Sequence, residues 1–399
     1  MFKITEEEEM LYKENIERNG WFGFLKKVTD EFSSWRNINI KIAVTGESGA
    51  GKSTFINSIR GLKSDDEGAA PIGLVETTMK ATKYEFPNNK NIELWDLPGF
   101  GTTTFKDKGT YLQHVNWKGY EAILLLSAKR FTENDAWLAG EIMKKNPEQQ
   151  LFFVRTHVKQ DMENIMRDRR RKLTQEDVEC QLKAVRDDSA KQLRKIGIMD
   201  HMVFLIDSHQ CNAFDYKKLV KKMVLKASAL KKEALILSLA GITDDVINMK
   251  LCELGKRING IAKVAGAAGA NTDRKGRSYP AEVEVMFNEA SVYREQLDLN
   301  LRELKNVAKQ LNENIDALLR RIDLQSYEYG DSAAKFAWFY RQYDNFEPGF
   351  KHWIPIVGKR WKAAEYQKQC EITLKNFLDI CAKDVRKVQG DIKRSFKGQ

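Results

Sequence analysis

The residues with the clearest chemical potential lie at 46–53, where glycine, lysine and serine follow the spacing Gly-x-x-x-x-Gly-Lys-Ser. Glycines in such a loop let backbone N–H groups turn toward phosphate oxygens, and the helix that follows favours their negative charge. Lys52 is expected to reach the β- and γ-phosphates of a nucleotide, and the Ser53 hydroxyl is expected to ligate Mg²⁺. Further phosphate contacts are predicted from Glu47, Ser48, Gly49, Ala50, Gly51 and Thr54.

A second motif, Asp96-Leu97-Pro98-Gly99, ends an apolar run and therefore belongs at the end of a strand. In this position Asp96 is expected to hold Mg²⁺ through water, and the Gly99 N–H is expected to sense the γ-phosphate. An Asp-x-x-Gly motif that follows a phosphate loop is typical of the GTPase class. The two motifs together predict a site for GTP or GDP with Mg²⁺.

The segment between these motifs is expected to carry the switch residues. Thr77 or Thr78 can complete the coordination of Mg²⁺ through a hydroxyl, and we assign this role to Thr78. Phe100 stands where Ras-type enzymes carry a glutamine that orients water, which a phenyl ring cannot do. Hydrolysis by the monomer is therefore expected to be slow, and Glu76 is the candidate for orienting water or contacting the nucleotide of a second subunit. The predicted catalytic set is Lys52, Glu76, Thr78 and Gly99.

The elements that must position these residues alternate along the chain. Short apolar or β-branched runs predict six strands, and helical spacing recurs between them. The predicted strands are Ile40–Thr45, Ala81–Phe86, Ile92–Trp95, Ala122–Leu126, Leu151–Val154 and Met202–Ile206. This alternation predicts an α/β fold with a mainly parallel sheet that helices cover on both faces.

This pattern divides the chain into three parts. Residues 1–37 are predicted to form N-terminal helices, residues 38–225 are predicted to form the α/β domain, and residues 226–399 are predicted to form a C-terminal helical domain. In the last part strand signals stop and apolar residues recur at spacings of three or four, which predicts amphipathic helices. Breaks between helices are expected at Gly266–Thr272 and near Gly330 because glycine lowers helix propensity.

Composition narrows the class of protein further. The 399 residues allow two or three domains, and 42% hydrophobic residues can bury a sizeable core. The net charge of +10 is spread among mixed charges, so a solvated surface is favoured and no nucleic-acid partner is predicted. Five scattered cysteines without CxxC spacing favour a reducing, cytoplasmic setting. No run approaches ~18 apolar residues, so membrane contact is expected to be peripheral.

Longer stretches around these motifs resemble the immunity-related GTPases, an interferon-inducible family. The stretches that carry the resemblance are GESGAGKSTFINSIRG (46–61), EGAAPIGLVETTMK (67–80), IELWDLPGFGTT (92–103), SAKRFTENDAWLA (127–139), FFVRTHVKQD (152–161), VFLIDSHQCNAFDYKKL (203–219) and LSLAGITDDVI (237–247). The resemblance fades but persists in VYREQLDLNLRELKNVAKQLN (292–312). Lys52 is similar to the phosphate-loop lysine of the effector-like group within this family.

The resemblance implies a Ras-like GTPase domain together with an all-α helical domain built from both chain ends. It further implies GTP-dependent self-assembly, with hydrolysis activated across a dimer of GTPase domains, and action at intracellular vacuole membranes that enclose pathogens. Partners implied are further copies of this chain, other GTPases of the family and a peripheral membrane surface. Glu76 matches a switch glutamate that such activation requires in the family.

The base-binding motifs depart from the family pattern. The family reads guanine with Thr-Lys-x-Asp, and the matching residues here are Thr156, His157, Val158 and Lys159, so a cation replaces the carboxylate. Asp161 lies two residues later and can substitute only if the loop is rearranged. The next base-side pair, Ser-Asn in the family, reads Asp207-Ser208. Without the usual carboxylate, discrimination of guanine from adenine is expected to weaken.

Two alternatives to an assembling GTPase stay open at this stage. The damaged guanine motif favours a scaffold or regulator of other GTPases that binds nucleotide weakly and hydrolyses it poorly. A nucleotide-gated membrane remodeller resembling dynamins is the other alternative, with the aromatic stretch that begins at Phe336 as a possible membrane patch. Core packing is the favoured interpretation of that stretch.

Overall fold

A computed structural model describes most of the chain as two compact units. One unit spans Trp35–Val246, and the other combines Met1–Ser34 with Ile247–Gln399. The structure describes residues 14, 18–20, 23–24, 26–73, 80–100, 109, 111–112, 115, 117–128, 131–168, 174–198, 202–241, 243–271, 278–343 and 355–397.

The unit of residues 35–246 is built on a six-stranded sheet with the order β2-β3-β1-β4-β5-β6. Its strands are β1 (Ile40–Gly46), β2 (Thr82–Phe86), β3 (Asn89–Asp96), β4 (Ala122–Ser127), β5 (Gln150–Arg155) and β6 (Val203–Leu205). All pairs are parallel except β2 with β3, which is antiparallel. The six predicted strands are therefore confirmed, with bounds shifted by up to three residues.

Helices alternate with these strands in the sequence. They are α1 (Lys52–Arg60), α2 (Glu133–Lys145), α3 (Val158–Arg167), α4 (Gln175–Lys195), α5 (Tyr216–Lys226) and α6 (Ala229–Ser238). One face of the sheet, including Ile123 and Phe153, shares a core with Leu138 of α2 and Leu193 of α4. The residues that alternate with these along the strands point to the other face of the sheet and are also buried. Helices α1 and α5 contact the sheet on that face. Strands covered on both faces explain the runs without polar residues, and the fold is the predicted Ras-like α/β arrangement.

The second unit is helical in its described part. Residues 18–20, 23–24 and 26–32 are helical at its N-terminal end. The later helices are α7 (Asp244–Asn271, which begins in the first unit), α8 (Ala281–Gln296), α9 (Leu301–Gln310), α10 (Ile315–Ile322), α11 (Gln325–Gly330), α12 (Ala333–Arg341) and α13 (Pro355–Lys397). The buried Arg257 of α7 forms a bidentate ion pair with Glu289 of α8 and donates to the backbone oxygen of Phe32. Both chain ends thus contribute to one all-α unit, as the resemblance implies.

The predicted break at Gly266–Thr272 is wrong for its described part, because α7 continues through Gly266 to Asn271. A Cβ atom at Gly266 would lie 2.7 Å from the backbone oxygen of Ala363 and 2.7 Å from the backbone nitrogen of Gln367. Gly266 therefore allows α13 to approach closely rather than ending the helix. The break near Gly330 is confirmed, since α11 ends there and α12 begins at Ala333.

The exact domain bounds of the sequence interpretation, 37/38 and 225/226, remain predictions. The compact units divide between Ser34 and Trp35 and between Val246 and Ile247. Helix α6, at Ala229–Ser238, lies within the unit that contains the sheet.

Candidate nucleotide-binding site

The predicted phosphate loop connects β1 directly to α1. Gly46, Gly49 and Gly51 adopt φ values of 147°, 76° and 79°, a region that favours glycine. A Cβ atom at Gly46 would lie 2.1 Å from the backbone oxygen of Leu126, so glycine is required by the packing of the loop against β4. Within the loop Ser48 and Gly49 are exposed and Ala50 is buried, while Thr54 lies half-buried in α1. The loop therefore has the backbone form that a phosphate chain requires.

Lys52 is the first residue of α1, and its ammonium group is turned back over the loop. Nζ donates to the backbone oxygens of Gly46 at 3.2 Å and Glu47 at 3.1 Å. The side chain is 8% exposed. These contacts hold the ammonium above the loop whose N–H groups would cradle phosphate, as predicted for this lysine.

Ser53 and Asp96 meet at the carboxyl ends of β1 and β3. The Ser53 hydroxyl donates to Oδ2 of Asp96 at 3.0 Å, and Asp96 is fully buried. A hydroxyl and a carboxylate side by side fit a Mg²⁺ ion that takes its remaining ligands from water and nucleotide phosphates. No cluster of three or more His, Cys, Asp and Glu side chains suited to a metal occurs in the part of the chain that the structure describes. The residues fit a metal held jointly with phosphate.

Phe100, which follows Gly99, belongs to the core. Its side chain is 4% exposed, and its ring lies 5.8 Å from that of Tyr111. The Tyr111 hydroxyl is 2.8 Å from the Thr45 hydroxyl and donates to the backbone oxygen of Pro98 at 3.1 Å. Burial raises the pKa of Tyr111, which therefore stays neutral and keeps its proton for these bonds. Phe100 thus packs beneath the Asp96–Gly99 turn, and its ring has no polar atom to orient water.

The N-terminus of α2 contacts the phosphate loop, which the sequence interpretation missed. Oε1 of Glu47 accepts from the Asn134 amide at 3.2 Å and lies 3.3 Å from the Thr132 hydroxyl. Thr132 caps α2 in a reciprocal capping box with Asp135. Burial raises the pKa of Asp135 to about 6. The spacing Thr132-x-x-Asp135 predicts a helix start, but no local signal shows that this cap lies against the loop.

The loop after β5 is fixed to the phosphate loop by Thr156, whose hydroxyl donates to the backbone oxygen of Ala50 at 2.9 Å. His157 adopts a left-handed conformation, with φ 58°, at the start of α3. A Cβ atom at Gly51 would lie 3.3 Å from Nε2 of His157. Two of the predicted base-side residues therefore lie directly against the predicted phosphate site.

The charged residues in the first turn of α3, which follows this loop, are held by their own partners. Lys159 lies 3.7 Å from Glu163 on the half-exposed face of α3. Asp161 forms an ion pair with Arg155 at 2.5 Å, and burial raises its pKa although the guanidinium opposes the shift. Because its carboxylate is engaged by Arg155, Asp161 cannot replace the missing base-reading aspartate without giving up this ion pair.

Asp207 and Ser208 follow β6, the last strand of the sheet. Asp207 is 8% exposed, and Oδ1 accepts from the backbone N–H of His209 at 2.9 Å. The neighbouring backbone is joined to the loop after β5, because Val158 N donates to the oxygen of Ile206 at 3.3 Å. Ser208 is half-buried beside Asp207. The structure thus connects the phosphate loop to both predicted base-side loops.

Two residues of the predicted catalytic set, Glu76 and Thr78, lie outside the described residues. Gly99 and Lys52 are described: Gly99 follows β3 in the Asp96–Gly99 turn, and Lys52 begins α1 after the phosphate loop. The roles of Glu76 and Thr78 stay predictions from the sequence.

Comparison with known proteins agrees with the geometry of the site, which fits a nucleotide and Mg²⁺. T-cell-specific guanine nucleotide triphosphate-binding protein 2 of Mus musculus is 32% identical over 347 residues, which cover 86% of this chain and 80% of that protein. Interferon-inducible GTPase 1 of Mus musculus is 37% identical over 221 residues, or 55% of this chain and 52% of that protein. A family model described as interferon-inducible GTPase matches residues 6–392. This chain therefore belongs to the interferon-inducible GTPase family.

Proposed function

We propose that this chain binds and hydrolyses GTP and that the bound nucleotide drives its self-assembly through the α/β unit. The observation that carries this proposal is that two features occur together. The Lys52 ammonium lies over the phosphate loop, and the Ser53 hydroxyl contacts Asp96. These groups supply an ammonium for the phosphates, a hydroxyl ligand for Mg²⁺ and a carboxylate that would hold Mg²⁺ through water. Membership of a GTPase family supports GTP as the nucleotide.

Each residue has a limited task in this proposal. Lys52 neutralises charge on the β- and γ-phosphates, and Ser53 and Asp96 would hold Mg²⁺, which supplies further charge neutralisation when bound. The Gly99 N–H would donate to the γ-phosphate of a bound nucleotide, and the Thr78 hydroxyl would supply a further ligand to Mg²⁺. Since Phe100 is buried and cannot orient water, hydrolysis by the monomer is slow.

Activation in an assembly follows from the missing water-orienting group. Glu76 supplies it, or contacts the nucleotide of a second copy, once two α/β units associate. Copies of this chain are the first partners, and other GTPases of the family are further ones. Rates that depend on assembly confine hydrolysis to places where the protein is concentrated.

The site of action that we propose is the surface of intracellular vacuole membranes, including those that enclose pathogens. Membership of the interferon-inducible family supports a role in immunity. Among the described residues, no helix is both long enough and apolar enough to cross a membrane. Peripheral association is the mode proposed.

A scaffold or regulator with weak nucleotide binding is the second candidate. The observation that favours it is Lys159, which places a cation in the first turn of α3, where the family pattern has the base-reading carboxylate. A cation repels the N–H donors of guanine instead of accepting from them. The hypothesis of a scaffold or regulator predicts weak binding of every nucleotide.

One experiment separates the two candidates. Binding of fluorescent GDP and a non-hydrolysable GTP analogue is measured with Mg²⁺, and GTP turnover per molecule is followed over a hundredfold range of protein concentration. The GTPase proposal expects binding and a specific activity that rises with concentration. Binding without turnover at any concentration supports the scaffold, and the absence of binding to either nucleotide contradicts the GTPase proposal.

A further inference from the structure

The carboxylate of Asp207, at the carboxyl end of β6, lies on the base side of the site and is 8% exposed. Among the described residues, the backbone N–H of His209 is the one hydrogen-bond donor to this carboxylate, and no cation lies within 4.0 Å of it. A carboxylate has about four lone-pair positions, so Oδ2 keeps the capacity to accept further hydrogen bonds.

Asp207 lies at the carboxyl edge of the sheet, two residues after the end of β6. Ligands of parallel α/β sheets bind beyond the carboxyl ends of the strands. Thr156 ties the loop after β5 to the phosphate loop at 2.9 Å, and Val158 ties that loop to Ile206, the residue before Asp207, at 3.3 Å. A nucleotide whose phosphates lie over Lys52 therefore extends its base toward these two loops.

The charged residues in the first turn of α3 do not compete for the role. Asp161 is engaged by Arg155 at 2.5 Å, and Lys159 lies 3.7 Å from Glu163. An ammonium has donors only, so Lys159 cannot accept from a base N–H. Asp207 is left as the buried acceptor on the base side of the site.

We propose that Asp207 determines base specificity by accepting hydrogen bonds from the N1–H and exocyclic amine of guanine. This inference rests on the proposed function, because it requires a nucleotide over the phosphate loop. Guanine offers two adjacent donors on one edge, whereas adenine offers a ring acceptor there and xanthine replaces the amine by a carbonyl oxygen. A buried carboxylate rejects both of those edges because lone pairs face lone pairs.

Asp207→Asn tests the proposal with little change of shape. The amide oxygen still accepts from His209 N, while the amide nitrogen presents donors to the base. The variant is expected to lower the ratio of GDP affinity to XDP affinity by about tenfold or more, equivalent to ~1.4 kcal/mol. Fluorescent diphosphates of guanosine, adenosine and xanthosine are titrated against wild type, Asp207→Asn and the matched control Asp188→Asn, an exposed residue of α4.

Each result decides a separate question. A lower ratio in Asp207→Asn alone, with thermal unfolding like that of wild type, supports the proposal. An unchanged ratio, or wild-type protein that binds all three diphosphates equally, overturns the role of Asp207 and leaves phosphate binding by Lys52 intact. Failure of the wild type to bind any of the three overturns both this inference and the proposed function. If Asp207→Asn unfolds, Asp207→Ser provides the second neutral variant for the same comparison.

Discussion

The side-chain amide of Asn57 makes two hydrogen bonds to the backbone of Ala70. Nδ2 donates to the oxygen of Ala70 at 2.8 Å, and Oδ1 accepts from its nitrogen at 2.7 Å. Both residues are buried. One side chain of α1 therefore satisfies both backbone polar groups of a residue in the segment that leaves α1, as a neighbouring strand would.

Asn57→Ala is expected to lower the free energy of unfolding by about 2 to 4 kcal/mol, because two buried backbone groups of Ala70 lose their partners. Chemical denaturation followed by circular dichroism measures the change. Asn212→Ala, at an exposed position of the same unit, is the control and is expected to change stability by less than about 0.5 kcal/mol. Equal stability of the two variants would contradict the role given to Asn57.

Lys52→Ala is expected to abolish nucleotide-dependent assembly, because phosphate binding comes before assembly in the proposed function. The affinity for GDP should fall about a hundredfold or more, since the ammonium over the loop is lost. Fluorescent nucleotide titration and light scattering are the measurements. Lys221→Ala, which removes an exposed lysine of α5, serves as the control. Normal assembly by the Lys52 variant would be incompatible with the proposal.

Glu76→Ala is expected to retain nucleotide but to lose the rise in specific activity with protein concentration. The reason is that Glu76 is assigned to activation between copies and not to binding of the phosphates. GTP turnover at increasing protein concentration measures this directly. A concentration dependence equal to that of wild type would remove Glu76 from the mechanism.

The buried Asp135 makes stability depend on pH. Burial raises its pKa to about 6 in the folded protein, above the ordinary 3.8. The folded state therefore binds this proton more tightly, and the carboxyl destabilises the protein progressively as the pH rises from about 4 to about 6. The shift corresponds to about 3 kcal/mol.

Asp135→Asn removes the titration while the amide oxygen still accepts from Thr132. The unfolding free energy of wild type minus that of Asp135→Asn is expected to fall by about 3 kcal/mol between about pH 4 and pH 7. Denaturant unfolding at several pH values gives this difference. Glu133→Gln, an exposed change in the same helical turn, is the reference. A difference that is flat across this range would show that Asp135 ionises normally.

Gly266→Ala is expected to destabilise the helical unit by about 1 to 3 kcal/mol, because the added Cβ meets backbone atoms of Ala363 and Gln367 at 2.7 Å. Gly255 lies in the same helix with no atom within 4 Å of an added Cβ. Gly255→Ala should stabilise the protein by about 0.5 to 1 kcal/mol through helix propensity. Thermal unfolding of both variants gives the comparison, and shifts of the same sign would refute the close approach.

The phosphate half of the site was predictable because its residues form contiguous motifs. Strand, glycine loop and helix start follow one another at Gly46–Ser53, and Asp96 ends a recognisable strand. The contact of Asn134 with Glu47 was not predictable, because it joins residues far apart in sequence and depends on how α2 packs. Gly266 misled the sequence interpretation for a related reason, since its neighbour α13 lies a hundred residues later in the chain.

The glycines of the phosphate loop are constrained by different parts of the molecule. Gly46 is fixed by the backbone of Leu126, whereas an added Cβ at Gly49 would meet no atom within 4 Å and would face only the cost of its backbone conformation. A related protein that no longer binds nucleotide would still need glycine at position 46, because the sheet leaves no room for a Cβ atom there. Position 49 could instead be occupied by asparagine. In distant relatives, a surviving Gly46 is therefore a sign of the fold, whereas a surviving Lys52 is a sign of retained phosphate binding.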